Sequence, residues 1–133
     1  MKPKINIITL AVDDLAKSVP FYKDALGLST QGIEDGDDHI LFEMQDNLSL
    51  VLYSRSKLGV LANQTNTSKK SSEFILSIAS DSEEEVDSIL KRAITAGGIL
   101  LPNQPKKFDW GYTGHFQDLD GHTWEIVCFN SKE

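Results

Sequence analysis

The sequence predicts an α+β fold of two tandem β-α-β-β-β modules, whose strands form a curled mixed sheet with helices on one face. Three observations predict it. A short apolar run precedes each of two helix-patterned segments: Ile5–Val12 before Leu15–Leu26, and Phe74–Ile78 before Val86–Gly97. Short strand-like pieces, separated by turns rich in Asp, Asn and Gly, follow each helix. The helical stripes superpose at an offset of 71, which carries Leu15, Val19, Tyr22 and Leu26 onto Val86, Leu90, Ala93 and Gly97. Two half-size modules cannot each hold a full core. They are therefore expected to share one sheet surface as a single domain over residues 1–133, with module one at about 4–53, a linker at 54–72 and module two at about 73–130. The uncovered face of such a sheet is a trough, and a trough is a binding site.

Each element has a local cause. Ile5–Val12 is β-branched and apolar, which suits a buried strand. Asp13 and Asp14 offer N-cap carboxylates to the helix that follows, and Gly27 ends it. Pro20 lies past the first turn and cannot donate to the Ala16 carbonyl, so a kink is expected there. Leu28–Ile33, His39–Gln45 and Leu48–Tyr53 read as strands. The linker is rich in Ser, Thr and Asn, with a short helical turn expected around Leu58–Ala62. In the second module, Asp81 and Glu84 have capping-box spacing ahead of the helix, and Gly97-Gly98 stops it. Ile99–Leu101, Tyr112–Gln117 and Thr123–Phe129 are the remaining strands, the last two joined by the Asp118-Leu-Asp-Gly121 turn.

Composition excludes several functions. The 133 residues carry 13 Lys+Arg against 20 Asp+Glu, a net −7, which disfavours nucleic acid as a partner. The four cations of the linker leave −11 on the rest of the chain, so the acidic total is weak evidence for a cationic ligand. One cysteine, Cys128, rules out an intramolecular disulfide or a Cys-rich zinc module. No apolar stretch approaches the ~20 residues of a membrane span, and the N-terminus does not read as a signal peptide. The expectation is a cytoplasmic protein.

Two stretches carry a resemblance. Ile8-Thr-Leu-Ala-Val-Asp-Asp-Leu-Ala-Lys-Ser-Val-Pro-Phe-Tyr-Lys-Asp-Ala-Leu-Gly-Leu28 and Gly114-His-Phe-Gln-Asp-Leu-Asp-Gly-His-Thr-Trp-Glu-Ile126 resemble the vicinal oxygen chelate superfamily. That group includes glyoxalase I, bleomycin-resistance proteins, fosfomycin-resistance enzymes, extradiol dioxygenases and methylmalonyl-CoA epimerase. The resemblance spans about residues 4–130 and implies the glyoxalase/bleomycin-resistance fold, with a homodimer whose modules complete each cavity. The metal enzymes of the superfamily place four inward-facing His and Glu ligands, one near each end of each module. Carried over, the last is Glu125, the first is Ile7, the module-one counterpart of Glu125 is Leu50 at an offset of 75, and the fourth is Glu73 or Ile75. Glu125 and Glu73 are thus weak metal candidates. No intact metal centre and no cofactor is expected, although a divalent ion on one or two carboxylates stays open.

The remaining candidates are ligand-binding residues. Alternation puts Ile7, Thr9, Leu50 and Leu52 on the trough floor, opposite the helix-facing Ile8, Leu10 and Val51. Glu125 lies between Trp124 and Ile126, so it faces the trough if they face the helices, and it is the tentative catalytic residue. Trp110, Tyr112 and Phe116 cluster before the closing hairpin, with Trp110 and Tyr112 favoured at the mouth. His115 is the histidine that can line the trough, whereas His39 reads as solvated and His122 as a turn residue. Arg55 is placed to neutralise an anionic ligand. Two functions follow. One is a bleomycin-resistance-like protein that binds a small molecule in the trough without an intact metal centre. The other is a glyoxalase-like lyase, isomerase or resistance transferase that uses Glu125 as base or in a reduced divalent-metal site.

Overall fold

The structure, a computed structural model, describes residues 3–30, 32, 36–61 and 74–130. It is an α+β protein in two compact units, residues 1–23 with 27–68, and 24–26 with 69–133. Each unit contains its own mixed sheet.

The first unit holds β1 (Ile7–Val12), α1 (Leu15–Leu26), β2 (His39–Glu43), a short 3-10 turn (Gln45–Asn47), β3 (Ser49–Ser54) and α2 (Arg55–Leu61). Its strand order is β1-β3-β2, with β1 parallel and β2 antiparallel to β3. The Asp14 side chain caps α1 by accepting from the Ala16 amide, and Gly27 closes the helix in the left-handed conformation at φ 68°. The helix runs through Pro20 without a break. It buries Leu15, Val19, Phe21, Tyr22 and Ala25, and the sheet buries Leu10, Val12, Ile40, Phe42, Leu50 and Leu52.

The expected strand Leu28–Ile33 does not form over 28–30 or at 32, and the rest of that span lies outside the described residues. Thr30 instead donates its hydroxyl to the Leu41 carbonyl, a side-chain contact where a ladder was expected. The expected helical turn in the linker is α2, which starts earlier, at Arg55; Ala62 lies outside the described residues.

The second unit holds β4 (Ile75–Ala79), α3 (Glu83–Thr95), β5 (Ile99–Leu100), β6 (Lys106–Phe108), β7 (Gly111–Gln117) and β8 (Thr123–Phe129). The order is β4-β8-β7-β5, and β6 also pairs with β7. β4 lies parallel to β8; the other pairings are antiparallel. The capping box of α3 sits one residue later than its spacing suggested. The Ser82 hydroxyl accepts from the Glu85 amide, and the Glu85 carboxylate accepts from the Asp81 amide. α3 packs on β7 and β8, burying Val86, Leu90 and Ala93 against Phe116, Trp124 and Ile126.

The β7–β8 turn is built on a buried Asp118. Its carboxylate accepts from the Asp120 and His122 amides at 2.9 and 2.8 Å, which gives His122 the expected turn duty. The repeat is visible in the fold with different offsets from those read in the helices. The N-caps Asp14 and Ser82 are 68 apart. The pairs Thr9–Val51 and Ser77–Glu125 stand at equivalent places in the two sheets, giving 68 for the first strands and 74 for the last.

Candidate functional site

Alternation along β8 decides what faces where. Trp124 and Ile126 are buried beneath α3, so Thr123, Glu125, Val127 and Phe129 occupy the face away from the helix. The register then assigns the rest of that far face. Ile75, Ser77 and Ala79 pair with Thr123, Glu125 and Val127. Gln117, His115, Thr113 and Gly111 pair with Thr123, Glu125, Val127 and Phe129. Lys106 and Phe108 pair with Thr113 and Gly111, and Ile99 pairs with Gln117.

Glu125 is the centre of this face. Ser77 Oγ donates to its Oε1 at 2.7 Å, and Thr113 Oγ1 donates to its Oε2 at 2.8 Å. His115 Nε2 lies 3.5 Å from Oε2, an ion pair when the imidazole is protonated; the two side chains are 19% and 20% exposed. Burial alone would raise the carboxyl's pKa. The hydroxyls of Ser77 and Thr113, with the His115 charge, outweigh burial and hold Glu125 below the ordinary carboxylate range. The group is therefore a sheltered anion at neutral pH.

His115 is fixed in turn by Gln104. The Gln104 Oε1 accepts from the His115 backbone amide at 3.1 Å and lies 3.2 Å from Nδ1. A backbone N–H can only donate, so this Gln104 atom is the oxygen, and Nδ1 is its second donor. Nδ1 therefore carries a hydrogen, and Nε2 is the nitrogen turned toward Glu125.

At the far end of the same face stands an aromatic cluster. Phe108 and Trp110 stack at 5.2 Å and 4°, and Trp110 meets Phe129 at 6.1 Å. All three are exposed, at 43%, 48% and 60%. Phe129 is four residues from Glu125 along β8, a span of about 13 Å. The sequence pattern points to Trp110 here but not to Phe108 or Phe129. Phe108 sits in a three-residue strand, Lys106–Phe108, that carries no alternating apolar signal.

Several expected site residues stand elsewhere. Leu50 and Leu52 pair with Ile8 and Leu10 in the parallel β1–β3 ladder, so they share the buried, α1-side face. Ile7, Thr9, Val51 and Tyr53 take the other face of that sheet. β3 is apolar on both faces, so alternation alone left its frame ambiguous. Phe116 is fully buried beneath α3. Tyr112 also turns toward α3, where its hydroxyl donates to Asp87 Oδ1 at 2.6 Å. Arg55 donates through Nε to Asp13 Oδ1 at 2.7 Å and through Nη2 to the Ala11 carbonyl at 3.3 Å. It braces the start of α2 against the end of β1 and is engaged by protein groups. His39 is exposed as expected, bonded to Asp38 at 2.6 Å and stacked on Tyr53.

In the first unit a recess of ≈ 810 Å³ opens beside β2, lined by Ser29, Thr30, Asp37, His39 and Glu43 among others. It is wide, open and mostly polar, with Ile40 and Leu41 as its apolar lining.

The equivalence of Thr9–Val51 with Ser77–Glu125 also corrects the carried-over metal positions. Val51, not Leu50, stands where Glu125 does, and Ile75 stands where Ile7 does. Glu73 lies outside the described residues. Ile7, Val51 and Ile75 supply no donor atom, and each Glu125 oxygen already accepts a hydroxyl. This donor set does not fit a centre with three or four protein ligands. Among the described residues, no group of three or more His, Cys, Asp or Glu is placed to hold an ion.

Comparison with known proteins gives the following. The model of the Glyoxalase/Bleomycin resistance protein/Dioxygenase superfamily matches residues 4–126. The uncharacterized protein YraH of Bacillus subtilis is 29% identical over 129 residues, covering 92% of this chain and 96% of that one. A hypothetical protein of S. aureus superposes with a TM-score of 0.79 at 25% identity, covering 96% of this chain and 94% of the other. A glyoxalase-related enzyme from Fulvimarina pelagi gives 0.81 at 25% identity, with coverage of 94% and 87%. A genomically encoded fosfomycin resistance protein of Listeria monocytogenes shares the fold, with a TM-score of 0.71 at 21% identity and coverage of 98% and 96%. No helix among the described residues is long and apolar enough to cross a membrane.

Proposed function

Since the chain belongs to the Glyoxalase/Bleomycin resistance protein/Dioxygenase superfamily, we propose that it binds a small organic cation on the far face of its second sheet, without a resident metal. Glu125 supplies the anion, and Phe108, Trp110 and Phe129 supply the apolar wall. The observation that carries this reading is the Glu125 carboxylate itself, held by the Ser77 and Thr113 hydroxyls on the face of the sheet that also carries the exposed Phe108–Trp110–Phe129 cluster; those hydroxyls keep its pKa low against the effect of burial. A general base works best when its pKa is raised toward the working pH, as burial alone would do. A carboxylate pushed the other way is a poor base and a persistent counter-ion. His115 does not replace it, because Nδ1 is held by Gln104 and Nε2 faces Glu125. The glyoxalase-like lyase, isomerase or transferase reading is correspondingly disfavoured. A cytoplasmic homodimer is part of the same proposal and rests on the family resemblance; sedimentation equilibrium tests the dimer.

Calorimetry against bleomycin-type drugs and other aromatic cations tests the binding. Binding is expected to weaken about tenfold or more, at least 1.4 kcal/mol, in Glu125→Gln and in Trp110→Ala. No heat with any of these cations overturns the reading. Elemental analysis of protein purified without chelators tests the metal. A stoichiometric Ni, Zn, Mn or Fe signal that disappears in Glu125→Gln overturns that part.

A further inference from the structure

We propose that the cleft between α3 and the β5 side of the second sheet binds a small zwitterion with an aliphatic body, of the kind an aliphatic α-amino acid presents. The cleft lies on the helix side of the sheet, away from Glu125, and the inference does not depend on the cation-binding reading above.

The spacing of α3 makes the cleft. Asp87, Leu90, Lys91, Ile94 and Thr95 stand at i, i+3, i+4, i+7 and i+8, so they share one stripe of the helix. Leu100 pairs with Phe116, which is buried beneath α3, so Leu100 turns to the same side of the sheet. With Pro105 these residues line a volume of ≈ 260 Å³. Pockets for drug-sized ligands run from about 300 to 1,000 Å³, so the occupant is smaller than that. The wall is formed by Leu90, Ile94, Leu100 and Pro105 and holds no aromatic ring. Ile94 still exposes 43% of its surface, apolar area that an occupant would cover.

Charge at the rim selects the head group. Asp87 and Lys91 stand about 6 Å apart along the helix axis, a spacing at which opposite charges ordinarily meet. Here Asp87 is engaged from the sheet side instead: the Tyr112 hydroxyl donates to its Oδ1. That uses one of the about four acceptor positions of a carboxylate. Lys91 makes no ion pair among the described residues. A ligand ammonium is therefore matched by Asp87 and a ligand carboxylate by Lys91, both as charge-assisted hydrogen bonds, with the aliphatic body against the wall between them. A molecule with one charge leaves one rim group unmatched, and an uncharged one leaves both.

Three probes share the body and differ in the head: L-leucine, isopentylamine, which lacks the carboxylate, and isocaproate, which lacks the ammonium. None is aromatic, so none is drawn to the Phe108–Trp110–Phe129 cluster. An amide-resolved NMR titration of the full chain is expected to show leucine shifting Leu90, Ile94, Thr95 and Leu100. Each truncated probe is expected to bind on the order of tenfold more weakly. In Lys91→Met, which keeps the apolar stem, leucine should bind no better than isopentylamine; in Asp87→Asn it should bind no better than isocaproate. The same spectra report whether each variant is folded. Absence of shifts at these residues with millimolar leucine overturns the site. Equal binding of the three probes there overturns the zwitterion as its ligand. Leucine affinity unchanged in both folded variants overturns the roles of Asp87 and Lys91.

Discussion

β7 lies so close to α3 that Gly114 has no room for a side chain, and Gly114→Ala tests how the second unit is assembled. A Cβ built there stands 2.3 Å from Leu90 Cδ1 and 3.3 Å from Leu90 Cδ2 and Cγ. Ordinary carbon contacts are about 3.5–4.0 Å, so either Leu90 or the strand must retreat by more than about 1 Å. Leu90 is 3% exposed and lies between Val86 and Ala93 on the buried stripe of α3, with little freedom to do so. Overpacking of this kind costs about 1–3 kcal/mol. For a chain of this size that corresponds to a fall in melting temperature of roughly 3–12 °C. Leu90→Ala alone opens a cavity and costs about 2–5 kcal/mol. In the Leu90→Ala background the new Cβ meets empty space, so Gly114→Ala should become nearly neutral. The double-mutant cycle is then expected to show a coupling of about 1–3 kcal/mol. Urea unfolding of the four proteins measures each corner. If Gly114→Ala costs as much in the Leu90→Ala background as in the parent, the steric reasoning is wrong. The two neighbours of Gly114 are Thr113 and His115, so displacement of β7 should also weaken ligand binding at Glu125.

Two further outcomes follow from the charged groups. The pKa of Glu125 is lowered on folding, so its stabilising contribution is present above the ordinary carboxyl value and lost as pH falls through the folded-state value. Acid unfolding should therefore narrow the stability gap between the parent and Glu125→Gln; a gap that stays constant from pH 7 down to pH 3 would sink this account. The Tyr112 hydroxyl, which donates to Asp87, is pushed up to about 12, so a spectrophotometric titration should show this phenol ionising only at strongly alkaline pH. Asp87→Asn should return it toward the ordinary range near 10, and its stabilising contribution in the parent should disappear as pH rises through the folded value.

Most of the fold was legible because its elements bury one face. The stripes of α1 and α3, and the run Thr123–Phe129 with its alternating Trp124 and Ile126, leave little choice of frame. β3 was misread because Leu50, Val51 and Leu52 are all buried, so alternation could not distinguish the two faces. β6 was missed because Lys106, Lys107 and Phe108 are all exposed, and it forms only by pairing with β7. Glu125 was legible as a polar residue between two core residues. Its partners were not. Ser77, 48 positions away, and Gln104, which reaches His115 across 11, are polar residues with no local pattern, and only the strand register brings them together. Tyr112 was placed with Trp110 because both are aromatic and near a glycine, whereas the pleat turns Tyr112 toward Asp87.

The turn at Asp118 has a consequence for how this chain tolerates changes in length. Its carboxylate gathers the Asp120 and His122 amides, and the Asp118 amide donates to the His122 carbonyl, so the number of residues between β7 and β8 is fixed by bonding. Side chains along a strand alternate with period two, and a slip of one residue exchanges the faces. A single-residue deletion here that carried β8 with it would press the Glu125 carboxylate against α3 and turn Trp124 outward. Relatives that lengthen or shorten this hairpin while keeping the anion must do so in steps of two, or absorb the odd residue as a bulge. In this chain the parity of a five-residue connection, Asp118 to His122, decides which side of the sheet carries the negative charge.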